Sequence, residues 1–245
     1  MRRRQFLKLT LGGAAALKAS ALAAWPLADV EPDAPQLMRL RYRVSERGTA
    51  LGEATVKYRI EGDQYRVTSH VEPTGRVARL FSAELKESSA GRWQNGRAEP
   101  QSYSYQRSGL KSLERSYQFD YQAGQVEVSD REPLPMSCGV QDEVSHLLTL
   151  SQALQCGAEA LELQVLYGSK ARIYDYRFKT GPLEALTLAD RQWQARKVTR
   201  TTSRGKYQMT LWCAPELGYL PIRQVRVHNE TGARSELELL DWRAG

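Results

Sequence analysis

The chain has 245 residues, of which 41% are hydrophobic and 26% are charged, and its net charge is +7. Residues 1–23 contain five Lys or Arg residues and no acid, so the other 30 basic and 28 acidic residues leave a net charge of only +2. Such a balance excludes the strongly basic surface that nucleic acids require, and we expect no nucleic-acid partner. About 220 residues beyond this segment are enough for one domain with a substantial core.

Residues 1–23 have the pattern of a cleaved export signal. Basic residues come first, an apolar run follows, and small residues with Ala-x-Ala spacing end at Ala23. The stretch RRQFLK at residues 3–8 resembles the twin-arginine motif, so the twin-arginine export machinery is an expected partner of residues 1–23. The apolar run is too short to cross a bilayer and no later stretch is long enough, so we expect no integral membrane span in the mature chain. Cleavage near Ala23 would leave a soluble periplasmic protein, whereas the alternative is a basic cytoplasmic tail.

Residues 24–36 carry Pro26, Pro32 and Pro35 and show little periodicity, which predicts an irregular lead-in. No repeat or break in composition follows, so residues 37–243 are predicted to form a single β-rich domain.

Alternating apolar and polar residues dominate this domain and predict strands, since successive side chains of a strand point to opposite faces. The first three runs, LRYRVSE, ATVKYRIEG and QYRVTSHVE, are separated by tight turns. The later runs are QSYSYQRS, RSYQFDYQ, LELQVLYG, RIYDYRFKT, QWQARKVTRT, KYQMTLWC, LPIRQVRVHN and SELELLDW. Runs at this spacing predict a mainly β fold, a curved antiparallel meander that forms an open or closed barrel-like sheet.

One segment has helical rather than strand periodicity. VQDEVSHLLTLSQAL, at residues 140–154, repeats apolar residues every three or four positions and predicts one amphipathic helix. Asp142 and Glu143 would lie in its first turn, where carboxylates suit the positive helix end. Its apolar face needs a surface to cover, and we expect the helix to act as a plug or lid on the concave face of the sheet.

Three cysteines permit one disulfide in an oxidising compartment. Cys138 and Cys156 flank the predicted helix, which would hold them about 22 Å apart, too far for a bridge. A disulfide of Cys213 with Cys138 or Cys156 is therefore the expected pairing, and three unpaired thiols are the alternative.

No local motif indicates catalysis or metal binding. The three histidines make no paired-ligand spacing, and the cysteines make no zinc pattern. A G-x-S-x-G elbow and a Gly-rich phosphate loop are both missing from the sequence. We therefore expect no metal and no cofactor, and we expect a protein that is not an enzyme.

Tyrosine is the most suggestive residue type, with 12 tyrosines against four phenylalanines. A tyrosine can bury its ring and keep its hydroxyl at a wet boundary, so a curved sheet lined in this way could bind a lipid-like ligand or a glycan. The candidate ligand-binding residues are Tyr42, Tyr58, Tyr65, Tyr103, Tyr105, Asp142, His146 and Trp212. The alternative is that these tyrosines are strand formers packed in an ordinary core.

VQDEVSHLLTLSQAL and LWCAPELGYLPIRQVRV together resemble an uncharacterised family of exported, β-rich bacterial envelope proteins, known as a numbered domain of unknown function. The resemblance covers residues 37–242, and its most specific pieces are Gln141-Asp142 and the stretch GYLP at residues 218–221. It implies an envelope location and a β-rich fold, and it implies no catalytic residue.

These observations lead to three hypotheses about function. The first is a non-enzymatic binding or carrier protein for a hydrophobic, amphiphilic or glycan ligand in the cell envelope. The second is an envelope hydrolase acting on a glycan or lipid, in which Asp142 and His146, spaced i and i+4, face one cavity. The third is a structural or partner-binding protein that pairs through an open edge of the sheet.

Overall fold

The structure is a computed structural model that describes residues 37–75, 83–109, 111–203 and 205–245. These residues belong to one compact unit, which spans Glu31–Gly245. The predicted export signal at residues 1–23 and the predicted lead-in at residues 24–36 lie outside the described residues.

Fifteen strands, one α-helix (α1) and a short 3-10 helix follow one another in the described part of the chain. They are β1 (Leu37–Glu46), β2 (Thr49–Glu61), β3 (Gln64–Pro73), β4 (Leu85–Gln94), β5 (Arg97–Arg107), β6 (Leu113–Asp120), β7 (Gln125–Val128), β8 (Arg131–Pro135), β9 (Gln141–Asp142), α1 (His146–Gln155), β10 (Ala160–Tyr167), β11 (Arg172–Leu188), β12 (Arg191–Thr202), β13 (Tyr207–Ala214), the 3-10 helix (Pro215–Leu217), β14 (Leu220–His228) and β15 (Arg234–Ala244).

All fifteen strands form one sheet in the order β8-β7-β6-β5-β4-β3-β2-β1-β15-β14-β13-β12-β11-β10-β9. Neighbouring strands are antiparallel except β9, which pairs in parallel with β10. Among the described strands β8 and β9 end the sheet and do not pair with each other, so the sheet stays open. The predicted mainly β fold with a curved antiparallel meander is confirmed.

The alternation that predicted the strands also determines which side chains form the core. In β3, Tyr65 and Val67 are buried, whereas Gln64 and Arg66, which alternate with them, are exposed. The same pattern in β1 buries Leu40 and keeps its polar neighbours at the surface. Burying one face of each strand removes apolar area from water, which is the main stabilising contribution to the fold.

The sheet curls far enough that strands from its two halves touch. The Tyr117 hydroxyl on β6 donates to the backbone oxygen of Gly168, 2.5 Å away, in the turn between β10 and β11. Arg115, also on β6, donates to the backbone oxygen of Ser169 in the same turn at 2.8 Å. These bonds join elements far apart in the strand order, so one face of the sheet encloses an interior.

The helix begins six residues later than the predicted range of 140–154. Asp142 lies on β9, and its carboxylate accepts hydrogen bonds from the backbone N–H groups of Val144 and Ser145. Such a turn uses donors that helical backbone would direct elsewhere, so it prevents the helix from extending upstream. Asp142 and Glu143 therefore precede the helix, and the prediction that they lie in its first turn was wrong.

Most of α1 is buried, because it packs against β5, β10 and β14. Its buried residues are His146, Leu148, Thr149, Leu150, Ser151, Gln152 and Leu154. Polar bonds fix it to β5, since Thr149 accepts a hydrogen bond from the backbone N–H of Ala98 at 3.1 Å. None of the helices in the described residues has the length and apolar character that a membrane crossing needs.

Candidate functional site

A cluster of ionisable side chains lies on the inner face of the sheet, and its first member, Glu87, is on β4. Alternation along β4 places Glu87 and Ser89 on the same face, and Ser89 is fully buried. Glu87 is half-buried, and its Oε1 accepts a hydrogen bond of 2.5 Å from the Tyr103 hydroxyl on β5. The neighbouring strand therefore holds this carboxyl group in place.

Asp142 is the second carboxyl group, and it has no exposed surface. Its Oδ2 accepts a hydrogen bond of 2.5 Å from the Ser89 hydroxyl, and Ser89 is 2.8 Å from the Tyr65 hydroxyl. Because Ser89 donates to Asp142, the Tyr65 hydroxyl donates to Ser89. Burial raises the pKa of Asp142, and the hydrogen bonds from Ser89, Ser145 and Val144 oppose that rise.

Glu143 is the third carboxyl group, and the turn between β10 and β11 positions it. Its Oε2 accepts a hydrogen bond of 2.8 Å from the backbone N–H of Gly168. A Cβ atom on Gly168 would lie 2.6 Å from the Tyr103 hydroxyl oxygen, so only glycine permits this approach. Glu143 is half-buried, and it lies on the interior side, where the two halves of the sheet meet.

These carboxyl groups repel one another in a poorly solvated place. Burial raises the pKa of Glu87 to about 7, the charge of Asp142 adds to the rise, and the Tyr103 hydrogen bond opposes it. Burial also raises the pKa of Glu143 well above its usual range, and the charge of Glu87 adds to that rise. Ionisation of either carboxyl group therefore makes ionisation of the other less favourable.

His146 and Arg200 border the carboxyl groups. The His146 ring is nearly buried, and its centroid is 5.5 Å from the ring centroid of Tyr176. Burial lowers the pKa of His146 to about 3, and the charge of Arg200 contributes, so the imidazole is neutral at neutral pH. Arg200, on β12, is nearly buried, and its guanidinium carbon is 4.2 Å from the Tyr176 ring centroid.

The contacts of Asp142 and His146 do not match the hypothesis that the two form an acid–base pair. His146 Nδ1 is 3.1 Å from the backbone oxygen of Asp142, and the Asp142 carboxylate bonds to Ser89 and to its own turn. The two side chains share no hydrogen bond with each other. Their i and i+4 spacing does not apply, because the helix starts at His146.

Five of the eight predicted ligand-binding residues lie in or beside this cluster. They are Tyr65, Tyr103, Tyr105, Asp142 and His146. Tyr42 and Tyr58 belong to the same hydrophobic core as the three tyrosines of the cluster, and the Tyr42 hydroxyl donates to the backbone oxygen of Pro221 at 2.7 Å instead of to a carboxyl group. Trp212 lies apart on β13, and its indole N–H donates to Glu184 at 2.7 Å.

The sequence analysis missed the charged members of the site, Glu87 and Arg200, and gave Glu143 only a helix-end role. A usable signal was present for Arg200. It follows Val198 by two positions on β12, so both share the buried face of that strand. A charge on a face that alternation predicts to be buried marks a candidate functional residue.

No disulfide joins the cysteines. Cys138 is exposed, Cys156 is half-buried, Cys213 is buried, and all three are free thiols. The expected pairing of Cys213 with Cys138 or Cys156 is therefore not present. Burial raises the pKa of the Cys213 thiol well above its usual range, which makes it a poor nucleophile.

Among the described residues, no three His, Cys, Asp or Glu side chains are arranged to hold a metal ion. A separate open concavity of about 470 Å³ lies over β4 to β7. Arg92, Glu99, Gln118, Tyr121 and Glu127 are among its lining residues, and none of the predicted ligand-binding residues is.

Comparison with known proteins gives a family and a fold. The family described as "Protein of unknown function (DUF3108)" matches residues 40–236. No curated protein sequence matches the chain. A β-barrel-like protein of domain of unknown function DUF1849 from Brucella abortus is similar in structure, with a TM-score of 0.61 and 10% identity over 85% of this chain and 98% of that one.

A DUF1089 family protein from Pseudomonas aeruginosa has a TM-score of 0.39 and 14% identity over 68% of this chain and 86% of that one. The likeness to the Brucella protein shows a barrel-like fold and carries no function, because one fold hosts many activities.

Proposed function

The chain belongs to the DUF3108 family of proteins of unknown function, and we propose that it is an exported binding or carrier protein of the cell envelope. Its ligand would occupy the interior site formed by Glu87, Tyr103, Glu143 and Arg200. The resemblance of residues 1–23 to a twin-arginine signal supports export to the periplasm.

One observation carries the binding proposal: Glu87 and Glu143 are half-buried, lie on the inner face and have raised pKa values. Ionisable groups in a poorly solvated interior are costly to the fold unless they have partners. Other half-buried charges have ion-pair partners, as Arg223 and Glu236 do. Groups with raised pKa values in a concave, partly accessible place are typical of functional sites.

The ligand class follows from the lining. Tyr103, Tyr105 and Tyr176 supply rings and hydroxyls, and the carboxyl groups and Arg200 supply charge. A purely hydrocarbon ligand would leave these polar groups without partners. We therefore infer an amphiphilic or glycan ligand with polar groups at the inner end of the site.

Native mass spectrometry of protein purified gently from the periplasm tests the proposal. We expect wild-type protein to carry a non-covalent small molecule. The double variant Glu87→Gln with Tyr103→Phe should lose it, and the exposed control Glu127→Gln should keep it. Ligand-free wild-type protein, or equal retention by all three proteins, would contradict the proposal.

Fractionation tests export separately. Changing Arg3→Lys together with Arg4→Lys should hold the full-length protein in the cytoplasm, because the twin-arginine route reads these side chains. Wild-type protein should lose a segment ending near Ala23, which intact mass would show. Periplasmic accumulation of the double variant would contradict this route.

A hydrolase is less well supported by the site. Asp142 and His146, the pair that suggested it, make hydrogen bonds to other groups and not to each other. Edge pairing with a partner is also disfavoured at β8. This end strand carries Pro133 and Pro135, and proline cannot donate a backbone hydrogen bond to an added strand.

A further inference from the structure

Arg200 is a buried cation whose guanidinium lies over the ring of Tyr176. It is 9% exposed, and within the described residues its side chain makes no hydrogen bond and no ion pair. Its Nε is a fully buried donor that has no acceptor. A guanidinium has five N–H donors and stays charged, so a protein interior normally supplies it with a carboxylate.

The carboxyl group that influences Arg200 most is Glu143, and it does not neutralise the guanidinium. Glu143 accepts its hydrogen bond from Gly168 instead. Among the described residues Glu143 makes no ion pair with Arg200, and burial raises its pKa, which disfavours the charged form of this carboxyl group. The positive charge of Arg200 therefore remains available to an anion that enters the interior.

A second arginine lies near Arg200 on the same face of the sheet. Arg200 is directly opposite Met209 on β13, and Met209 is directly opposite Arg226 on β14. Directly opposed residues share a face, so the three side chains form one row. Arg226 is half-buried. Burial lowers the pKa of Arg200, and the positive charge of Arg226 lowers it further.

The row leads from the interior to solvent. Arg226 lies over the ring of Tyr207, with its guanidinium carbon 5.0 Å from the ring centroid, and Tyr207 is 39% exposed. Met209 and Tyr207 give the row an apolar and aromatic border. An amphiphile could therefore place its polar end at Arg200 and its apolar body along this border.

We propose that Arg200, assisted by Arg226, binds an anionic oxygen group of the ligand, a carboxylate or a phosphate ester. A planar guanidinium matches either group with two parallel hydrogen bonds. This inference rests on the proposed function, and it specifies the ligand class as an acidic amphiphile.

Anion binding should strengthen as pH falls, because protonation of Glu87 and Glu143 removes repulsion of the anion. The ionisable groups that face Arg200 or its neighbours are Glu87, Tyr103, Tyr105, Asp142, Glu143, His146, Tyr167, Tyr174, Tyr176 and Arg226. His146 is neutral in this range, and burial raises the pKa values of Tyr103, Tyr105, Tyr167 and Tyr176, so the carboxyl groups determine the direction.

Calorimetric titration of the mature chain tests the site with decanoate, decyl phosphate, inorganic phosphate and decylammonium. We expect decanoate or decyl phosphate to bind, and decylammonium to bind at least about tenfold more weakly. Arg200→Met should weaken anion binding by roughly 10- to 100-fold, the usual effect of losing a charged hydrogen-bonding partner. Arg177→Met, which removes an exposed arginine on β11, is the matched control and should bind as wild type does.

Thermal unfolding without ligand separates a binding role from a structural one. Arg200→Met should have a Tm equal to or above that of wild type, because it removes an unpaired buried charge. A large fall in Tm, or unchanged anion affinity in Arg200→Met, would overturn the inference. So would wild-type protein that binds none of the three anions.

The results that would refute the anion site and those that would refute the carrier role are different. A natural ligand that co-purifies with Arg200→Met as well as with wild type leaves the carrier role intact and refutes only the anion site. Wild-type protein that carries no ligand at all contradicts the carrier role.

Discussion

Replacing Glu87 with glutamine should stabilise the protein at high pH and leave its stability nearly unchanged at low pH. The pKa of Glu87 is raised from the usual 4.5 to about 7, chiefly by burial. The folded state therefore binds this proton more tightly than the unfolded chain does. That contribution to stability is fully present below about pH 4.5 and is lost as pH rises through about 7.

The size of the effect follows from the size of the shift. One pKa unit corresponds to about 1.4 kcal/mol, so the shift of Glu87 corresponds to about 3 kcal/mol. Glutamine keeps an oxygen that can accept the Tyr103 hydrogen bond and it cannot ionise. Above pH 8 the Glu87→Gln variant should therefore be more stable than wild type by up to about 3 kcal/mol.

Urea unfolding followed by circular dichroism at pH 5 and pH 9 measures this difference. The control is Glu127→Gln, because Glu127 is exposed on β7 and should give a difference within about 0.5 kcal/mol at both pH values. An equal effect of Glu87→Gln at the two pH values, or a loss of stability at pH 9, would refute the reasoning.

Three further outcomes follow from contacts in and around the site. Gly168→Ala should destabilise the fold by about 1–3 kcal/mol in urea unfolding, because its Cβ would meet the Tyr103 hydroxyl at 2.6 Å; wild-type stability would contradict this. Tyr117→Phe should lower the free energy of unfolding by about 1–3 kcal/mol in the same assay, because it leaves the Gly168 oxygen without its donor. A loss below about 0.5 kcal/mol, the level of an ordinary surface change, would count against that hydrogen bond. In folded protein a maleimide should label Cys138 quickly and Cys213 only on unfolding; mass spectrometry would show the opposite order if the burial is wrong.

Alternation made most of the sheet predictable, because a strand with one buried face has apolar residues at every second position. β4 was not predicted, and its residues explain why. Its inner face carries Glu87, Ser89 and Gly91 in place of apolar side chains. One strand that supplies the polar site is therefore a strand with weak periodicity, as expected where function overrides the folding pattern.

The end of the helix was predicted within one residue and its start was not. Val140 and Val144 are buried and fit a helical period, but they are buried by β9 and its turn. Hydrogen bonds from the backbone N–H groups of Val144 and Ser145 to the Asp142 carboxylate decide the boundary, and periodicity does not report them. The site itself depends on contacts between distant strands, such as that between Glu143 and Gly168, which no local pattern encodes.

The central claim is that the interior holds carboxyl groups that repel one another and, in Arg200, a guanidinium that has no carboxylate partner among the described residues. Carbon-detected NMR titration of the glutamate side chains in ligand-free mature protein tests it most directly. The account predicts that Glu87 titrates near pH 7, that Glu143 titrates well above the usual glutamate range, and that Glu143→Gln lowers the midpoint of Glu87. If both carboxyl groups titrate near pH 4.5 and neither responds to substitution of the other, the interior is an ordinary solvated surface and the account is wrong.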